Sequence, residues 1–163
     1  LHVVAAREQL DALLPLAAGS PLTVLGEVRT FNNRSGVGSK LVVSVFAREL
    51  SQEEGEDENR LELSGTLCKP PVLRTTPLGR TICDMILAAN RRYGRADYLP
   101  CIAWGSLAYR CGAMEVGGRL ALEGRLQSRI YTKEIDGQTQ ERTAFEVSIM
   151  SLAGEEEYID PNA

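Results

Sequence analysis

A chain of 163 residues with 44% apolar and 25% charged side chains has the makeup of a globular protein, long enough for one ordinary domain or a small one plus part of another. No apolar run approaches the roughly 18 residues of a membrane span, so no membrane partner is expected. The net charge of −4 speaks at first against an acidic partner, but its distribution reverses that. Residues 60–153 carry 13 Lys/Arg against 9 Asp/Glu, and residues 1–48 carry 5 against 3. The acid is confined to "ELSQEEGEDE" (49–58), with six acids and no base, and to the closing "GEEEYIDPNA", with four. The parts that read as folded are basic. Residues 51–59 read as a solvated acidic linker, and 154–163 as an acidic tail available to a partner.

The start, "LHVVAAREQLDALLPLAAGS", is apolar but interrupted by Arg7, Glu8 and Asp11, and has no basic lead, which argues against a signal peptide. Shifted by 98 residues without a gap, the opening falls on the middle of the chain. "LHVVAA" then lies on "LPCIAW", and "GSPLTVLGEVRT" on "GGRLALEGRLQS". A polar turn follows each time ("NNRSGVGSK", "KEIDGQTQER"), and then an alternating strand ("LVVSVFA", "TAFEVSIM"). The order strand, helix, strand, turn, strand recurs, so the chain holds two copies of one module. The first, residues 1–50, starts only at the third strand, with two strands missing.

The second copy, residues 60–153, reads whole. "RLELSGTLCK" alternates with Leu61, Leu63, Gly65 and Leu67 inward. "PPVLRTTPLGR" has the composition of a turn. "RTICDMILAAN" is a second strand, "RRYGRAD" a basic loop, "YLPCIAW" a third strand and "GSLAYRCGAME" a short helix. The last two strands, "GRLALEGRLQSRIY" and "TAFEVSIMSL", meet in a hairpin whose tip is Asp136–Gly137. Five short strands with one helix between the third and fourth predict an all-β fold: a five-stranded Greek-key OB barrel preceded by a partial one. Its interior is expected from Leu63, Leu67, Met85, Leu87, Leu99, Cys101, Ala103, Leu120, Leu122, Leu126, Phe145, Val147 and Ile149, with Gly124 where a strand bends.

Cys68, Cys83, Cys101 and Cys111 form no C-x-x-C pair, and His2 is the lone histidine. Neither a zinc site nor a disulfide framework is expected, and the thiols read as small core residues in reducing surroundings. No cofactor is expected. Nothing resembles a phosphate-binding glycine loop or a nucleophile with its base. Asp84, Glu123 and Glu146 are scattered, so an enzyme is not expected.

The aromatic residues then become orderly. Alternation puts Leu99, Cys101 and Ala103 on one face of the third strand, and Tyr98, Pro100, Ile102 and Trp104 on the other. Tyr131 shares the non-core face with Arg125, Gln127 and Arg129; Tyr93 lies in the loop beside Arg91, Arg92 and Arg95. Bases stack on such rings for about 1–3 kcal/mol each, while Lys and Arg neutralise phosphates. Taken singly, each residue has a plainer reading: Trp104 as packing, the tyrosines as ordinary strand residues, Arg125 and Arg129 as solvation of a hairpin. Tyr109, on the helix, reads as packing.

At these residues the chain resembles the bacterial single-stranded DNA-binding proteins. "GRTICDMILAANRRYG", "YLPCIAWGSLA" and "EVGGRLALEGRLQSRIY" are similar to that family's second strand, third strand with the start of the helix, and fourth strand with its arm. The resemblance covers about residues 61–152, and "CKPPVLRTTPLGR" with the doubled module looks like a two-OB version found among Firmicutes. It implies sequence-tolerant binding of single-stranded DNA in replication, recombination or repair, with stacking at Tyr93, Tyr98, Trp104 and Tyr131. Phosphate contacts would come from Arg91, Arg92, Arg125, Arg129 and Lys133. It also implies a homodimer giving four OB modules, in the cytoplasm and associated with the nucleoid. The rival reading is an OB module that binds protein. In the first copy Ala6 stands at the place of Trp104, Arg7 at Gly105 and Asn33 at Tyr131, leaving Phe31 and Arg29; a scaffold role is expected there. The tail has the family's acid but lacks its apolar tip with proline and phenylalanine, through which repair and replication partners dock.

Overall fold

The structure, a computed structural model, describes residues 1–36, 38 and 40–153; the acidic tail lies outside the described residues. The chain divides into two compact units, Leu1–Glu58 and Asn59–Ala163. Among the described residues no helix is long and apolar enough to cross a membrane.

The first unit contains β1 (His2–Val4), α1 (Arg7–Asp11), β2 (Thr23–Asn32) and β3 (Leu41–Ser51). They form one sheet in the order β1-β3-β2, with β1 parallel and β2 antiparallel to β3. The acidic run that begins at Glu49 thus starts inside β3. The Gln9 side chain ties α1 down by donating to the Arg48 carbonyl oxygen at 2.7 Å. The sheet buries little: Val43 is its buried apolar side chain among the described residues, whereas Val3, Val4, Leu25, Phe31 and Phe46 are exposed.

The second unit contains β4 (Leu61–Leu67), β5 (Val72–Thr75), β6 (Thr81–Asn90), a 3-10 turn (Arg92–Gly94), β7 (Ala96–Trp104), α2 (Ser106–Gly112), β8 (Arg119–Ile135) and β9 (Gln138–Leu152). The strand order is β4-β8-β9-β7-β6-β5, and Thr66↔Ala88 and Leu67↔Leu87 pair β4 with β6, closing the sheet on itself. Closure leaves the barrel's main strands no open seam, and the alternating side chains fill it. Leu63, Leu67, Met85, Leu87, Leu99, Cys101, Ala103, Leu122, Val147 and Ile149 are buried, as are Cys83 and Cys111. Leu120, Leu126 and Phe145, expected inside, are half-buried. The β8–β9 turn has both residues left-handed, Asp136 at φ 51° and Gly137 at φ 75°, the backbone that a two-residue hairpin with this sequence requires.

Three expectations need correction. The stretch after Pro71 is not turn throughout: Val72–Thr75 pairs antiparallel with Thr81–Asp84. A four-residue strand between two proline-containing turns carries more punctuation than pattern, so composition hides it. Ile102 keeps the non-core face assigned to it, but that face is not open there: the residue is 3% exposed. It lies mid-sheet opposite Asp84 and Ser148, where neighbouring side chains on the same face shade it. Tyr109 does not pack: it is 62% exposed, its hydroxyl 3.2 Å from that of Thr81.

The repeat is visible in the ladders. Val3↔Val45 and Val4↔Phe46 in the first unit match Cys101↔Val147 and Ile102↔Ser148 in the second. The β2–β3 register shifts at Leu25/Gly26, and the β8–β9 register at Glu123/Gly124. At both glycines an added Cβ would land on a backbone carbonyl oxygen of the facing strand, that of Phe46 or of Ser148. The bulge therefore needs glycine in each copy. In the second unit β6 and β4 flank the strands that correspond to β1 and β2, and neither has a counterpart among the described residues of the first unit.

Candidate nucleic-acid interface

Alternation along β6, β7, β8 and β9 builds one face opposite the barrel core. Trp104 stands across the ladder from Ile82, and Tyr98 from Ala88. Neither neighbour carries a ring or a charge, which leaves the aromatic side chains accessible: Trp104 is 38% and Tyr98 49% exposed. On β8, Arg125, Gln127, Arg129 and Tyr131 lie opposite Ser148, Glu146, Ala144 and Arg142. Tyr131 and Lys133 are half-buried, and Arg125 is exposed on this long hairpin.

Two carboxylates organise the middle of the face. Glu146 is buried; Gln127 Nε2 donates to its Oε1 at 2.9 Å, and Arg129 Nε lies 3.6 Å from its Oε2. These contacts compensate the burial of charge and fix the guanidinium over the sheet. Asp84 does the same for Arg74, whose Nε donates to its Oδ2 at 2.5 Å. That hydrogen bond raises the Arg74 pKa above its ordinary value, against a smaller lowering by desolvation. Arg74 was missed by sequence reasoning because its strand reads as a turn. It sits opposite Ile82, which is opposite Trp104, so it extends the row that carries the indole.

At the end of β6 the chain turns through Arg91–Arg95. Tyr93 is 97% exposed, and Arg92 is exposed beside it. The Arg91 guanidinium forks onto the buried Asp97, Nη2 to Oδ1 at 2.6 Å and Nε to Oδ2 at 2.7 Å. The structure thus places Tyr98, Trp104, Arg125, Arg129 and Tyr131 on one sheet face, Lys133 farther along the hairpin, and Tyr93 and Arg92 on the loop. No group of three or more His, Cys, Asp or Glu side chains suited to a metal ion occurs among the described residues.

Strand order, barrel closure and the position of α2 between β7 and β8 define an OB-fold barrel with an aromatic and basic face. Residues 58–153, more than half of the chain, match the model of the single-strand binding protein family. The chain belongs to that family. Among curated relatives it is 35% identical over 80 residues to a single-stranded DNA-binding protein of Clostridium tetani, covering 45% of this chain and 55% of the relative. It is 36% identical over 83 residues to single-stranded DNA-binding protein A of Bacillus subtilis, covering 47% and 48%. The chain spans about half the length of these relatives. Among solved structures, the wild-type single-stranded DNA-binding protein of Thermus aquaticus matches with a TM-score of 0.66 at 26% identity, covering 80% of this chain and 57% of that one. A deletion mutant of the same protein matches with a TM-score of 0.67, covering 87% and 63%. The second unit holds less than two thirds of the chain, so these matches extend into the first.

Proposed function

We propose that the chain binds single-stranded DNA with little regard to sequence, without catalysing a reaction, and that the second unit carries the site. The observation that supports this most is the placing of Tyr98, Trp104 and Tyr131 on one sheet face among arginines, with Tyr93 exposed on the loop at its edge. Rings of this kind stack on any base, and cationic side chains follow the phosphates. Arg125, Arg129, Arg92 and Lys133 are the proposed phosphate contacts, and Arg74 joins them. The relatives' names point the same way. The role is in replication, recombination or repair in the cytoplasm, at the nucleoid, by a homodimer whose two-module chains together supply four OB modules. The acidic tail is the proposed contact for replication and repair proteins.

Trp104 is the chain's single tryptophan, so its fluorescence reports on the site without labelling. Titration with a dT oligomer is expected to quench it strongly at low salt, and added salt is expected to restore the emission. A flat signal with no gel shift would overturn the proposal.

A further inference from the structure

We infer that Arg91 and Asp97 form a positioning pair that sets Tyr93 for stacking, and that Arg91 is not a phosphate contact; this rests on the single-stranded DNA reading above. Tyr93 adopts φ 67°, ψ 32°, the left-handed region that side chains other than glycine, asparagine and aspartate avoid. Gly94 follows at φ 72°. Two successive left-handed residues turn the chain sharply and leave the ring in solvent. A loop free to relax would leave that conformation, so its ends must be held.

They are held twice. The Arg91 N–H donates to the Arg95 carbonyl oxygen at 2.7 Å, immediately beyond the last ladder pair, Asn90↔Ala96. The Arg91 guanidinium then grips Asp97 through both of its oxygens, a geometry that a planar fork defines and an ammonium does not. The Asp97 side chain is 6% exposed and that of Arg91 23%, so solvent screens the pair little. Alternation along β7 places Asp97 with Leu99, Cys101 and Ala103, on the barrel side, and Tyr98 on the other. The Arg91 guanidinium is thereby drawn away from the face that carries Tyr98 and Arg129. The pair joins the two ends of the loop that carries Tyr93, and Asp97 adjoins Tyr98 on β7, so it fixes the loop of one tyrosine relative to the strand of the other.

The sign of one substitution separates positioning from charge. Removing an acid close to DNA and freeing an arginine should tighten binding if electrostatics alone operate. A positioning pair predicts the opposite. In the full chain, Asp97→Asn is expected to weaken binding of a dT oligomer about three- to tenfold, with the slope against salt unchanged and no further loss in a Tyr93→Ala background. Binding as tight as in the unaltered protein, or tighter, would overturn the inference. So would a loss of equal size in the Tyr93→Ala background. Circular dichroism checks the fold of each variant. If Asp97→Asn does not fold, Arg91→Lys, which keeps the charge but loses the fork, is put through the same cycle with the same outcomes. Absence of Trp104 quenching in the unaltered protein removes the DNA reading itself, whereas quenching with an additive cycle removes only the positioning pair.

Discussion

The two units share a backbone plan and differ in what they display on it. Both contain a parallel pair, a helix, an antiparallel ribbon and a glycine bulge at the same point. Only the second has the aromatic set: Ala6 and Asn33 occupy the places of Trp104 and Tyr131. A local backbone change accompanies the loss. Gly105 caps α2 at φ 61°, ψ −128°, a conformation open essentially to glycine. At the corresponding position Arg7 is instead the first residue of α1, which follows Ala6 at φ −67°, so the first helix begins one residue earlier in the repeat. The strand pairing and its glycine bulge are therefore a set the two units share, and the aromatic side chains displayed on the sheet are a set in which they differ.

The largest effect should come from the shared set. Gly124→Ala is expected to destabilise the second unit by about 3 kcal/mol, because the new Cβ meets the Ser148 carbonyl rather than a flexible side chain. Gly26→Ala should act likewise on the first unit, against the Phe46 carbonyl. Denaturant unfolding of both variants measures this, and an unaffected Gly26→Ala would break the parallel between the bulges. The divergent set should matter to binding and little to stability. Trp104→Ala is expected to weaken binding of oligo-dT by about 1–3 kcal/mol, and Ala6→Trp to strengthen it by at most about 1 kcal/mol. Equal and opposite effects in a titration would show that one ring position is enough to make either unit a platform.

The smallest effect concerns the core. Burial pushes the Cys101 thiol well above its ordinary 9.0, and desolvation raises Cys83 as well. The folded chain keeps Cys101 neutral where the unfolded chain ionises it, so this stability is intact below about pH 9 and is lost as the pH rises. At pH 10 the loss is about 1 kcal/mol for Cys101. Melting temperatures from pH 7 to 10 should fall less steeply for Cys101→Ala than for the unaltered chain. Identical slopes would mean that this thiol contributes nothing to the difference.

Much of this organisation was legible in the residues because it is local. Period-two alternation places Cys101, Leu99 and Val147 in the core, Asp136–Gly137 marks its hairpin, and the 98-residue shift aligns Gly26 with Gly124. The rest depends on what strands do to each other. Ile102 obeys alternation but is covered by its neighbours across the sheet, which no single strand can reveal. Arg91 looks like any other base in "NRRYGRAD" until Asp97 is placed within reach of it by the end of the β6–β7 ladder. Arg74 reaches the face only because four residues between proline-containing turns find an edge to pair with.

Barrel closure also has a consequence in time. The ladder that joins Leu61 to Gly124 brings together segments far apart in the chain, so the entropy of closing that loop is lost before the contacts compensate it. The β8–β9 ribbon, by contrast, zips from its two-residue turn along neighbouring residues, a process on the order of microseconds. The arm that carries Arg125, Arg129 and Tyr131 is therefore expected to pair before β4 docks onto its outer edge.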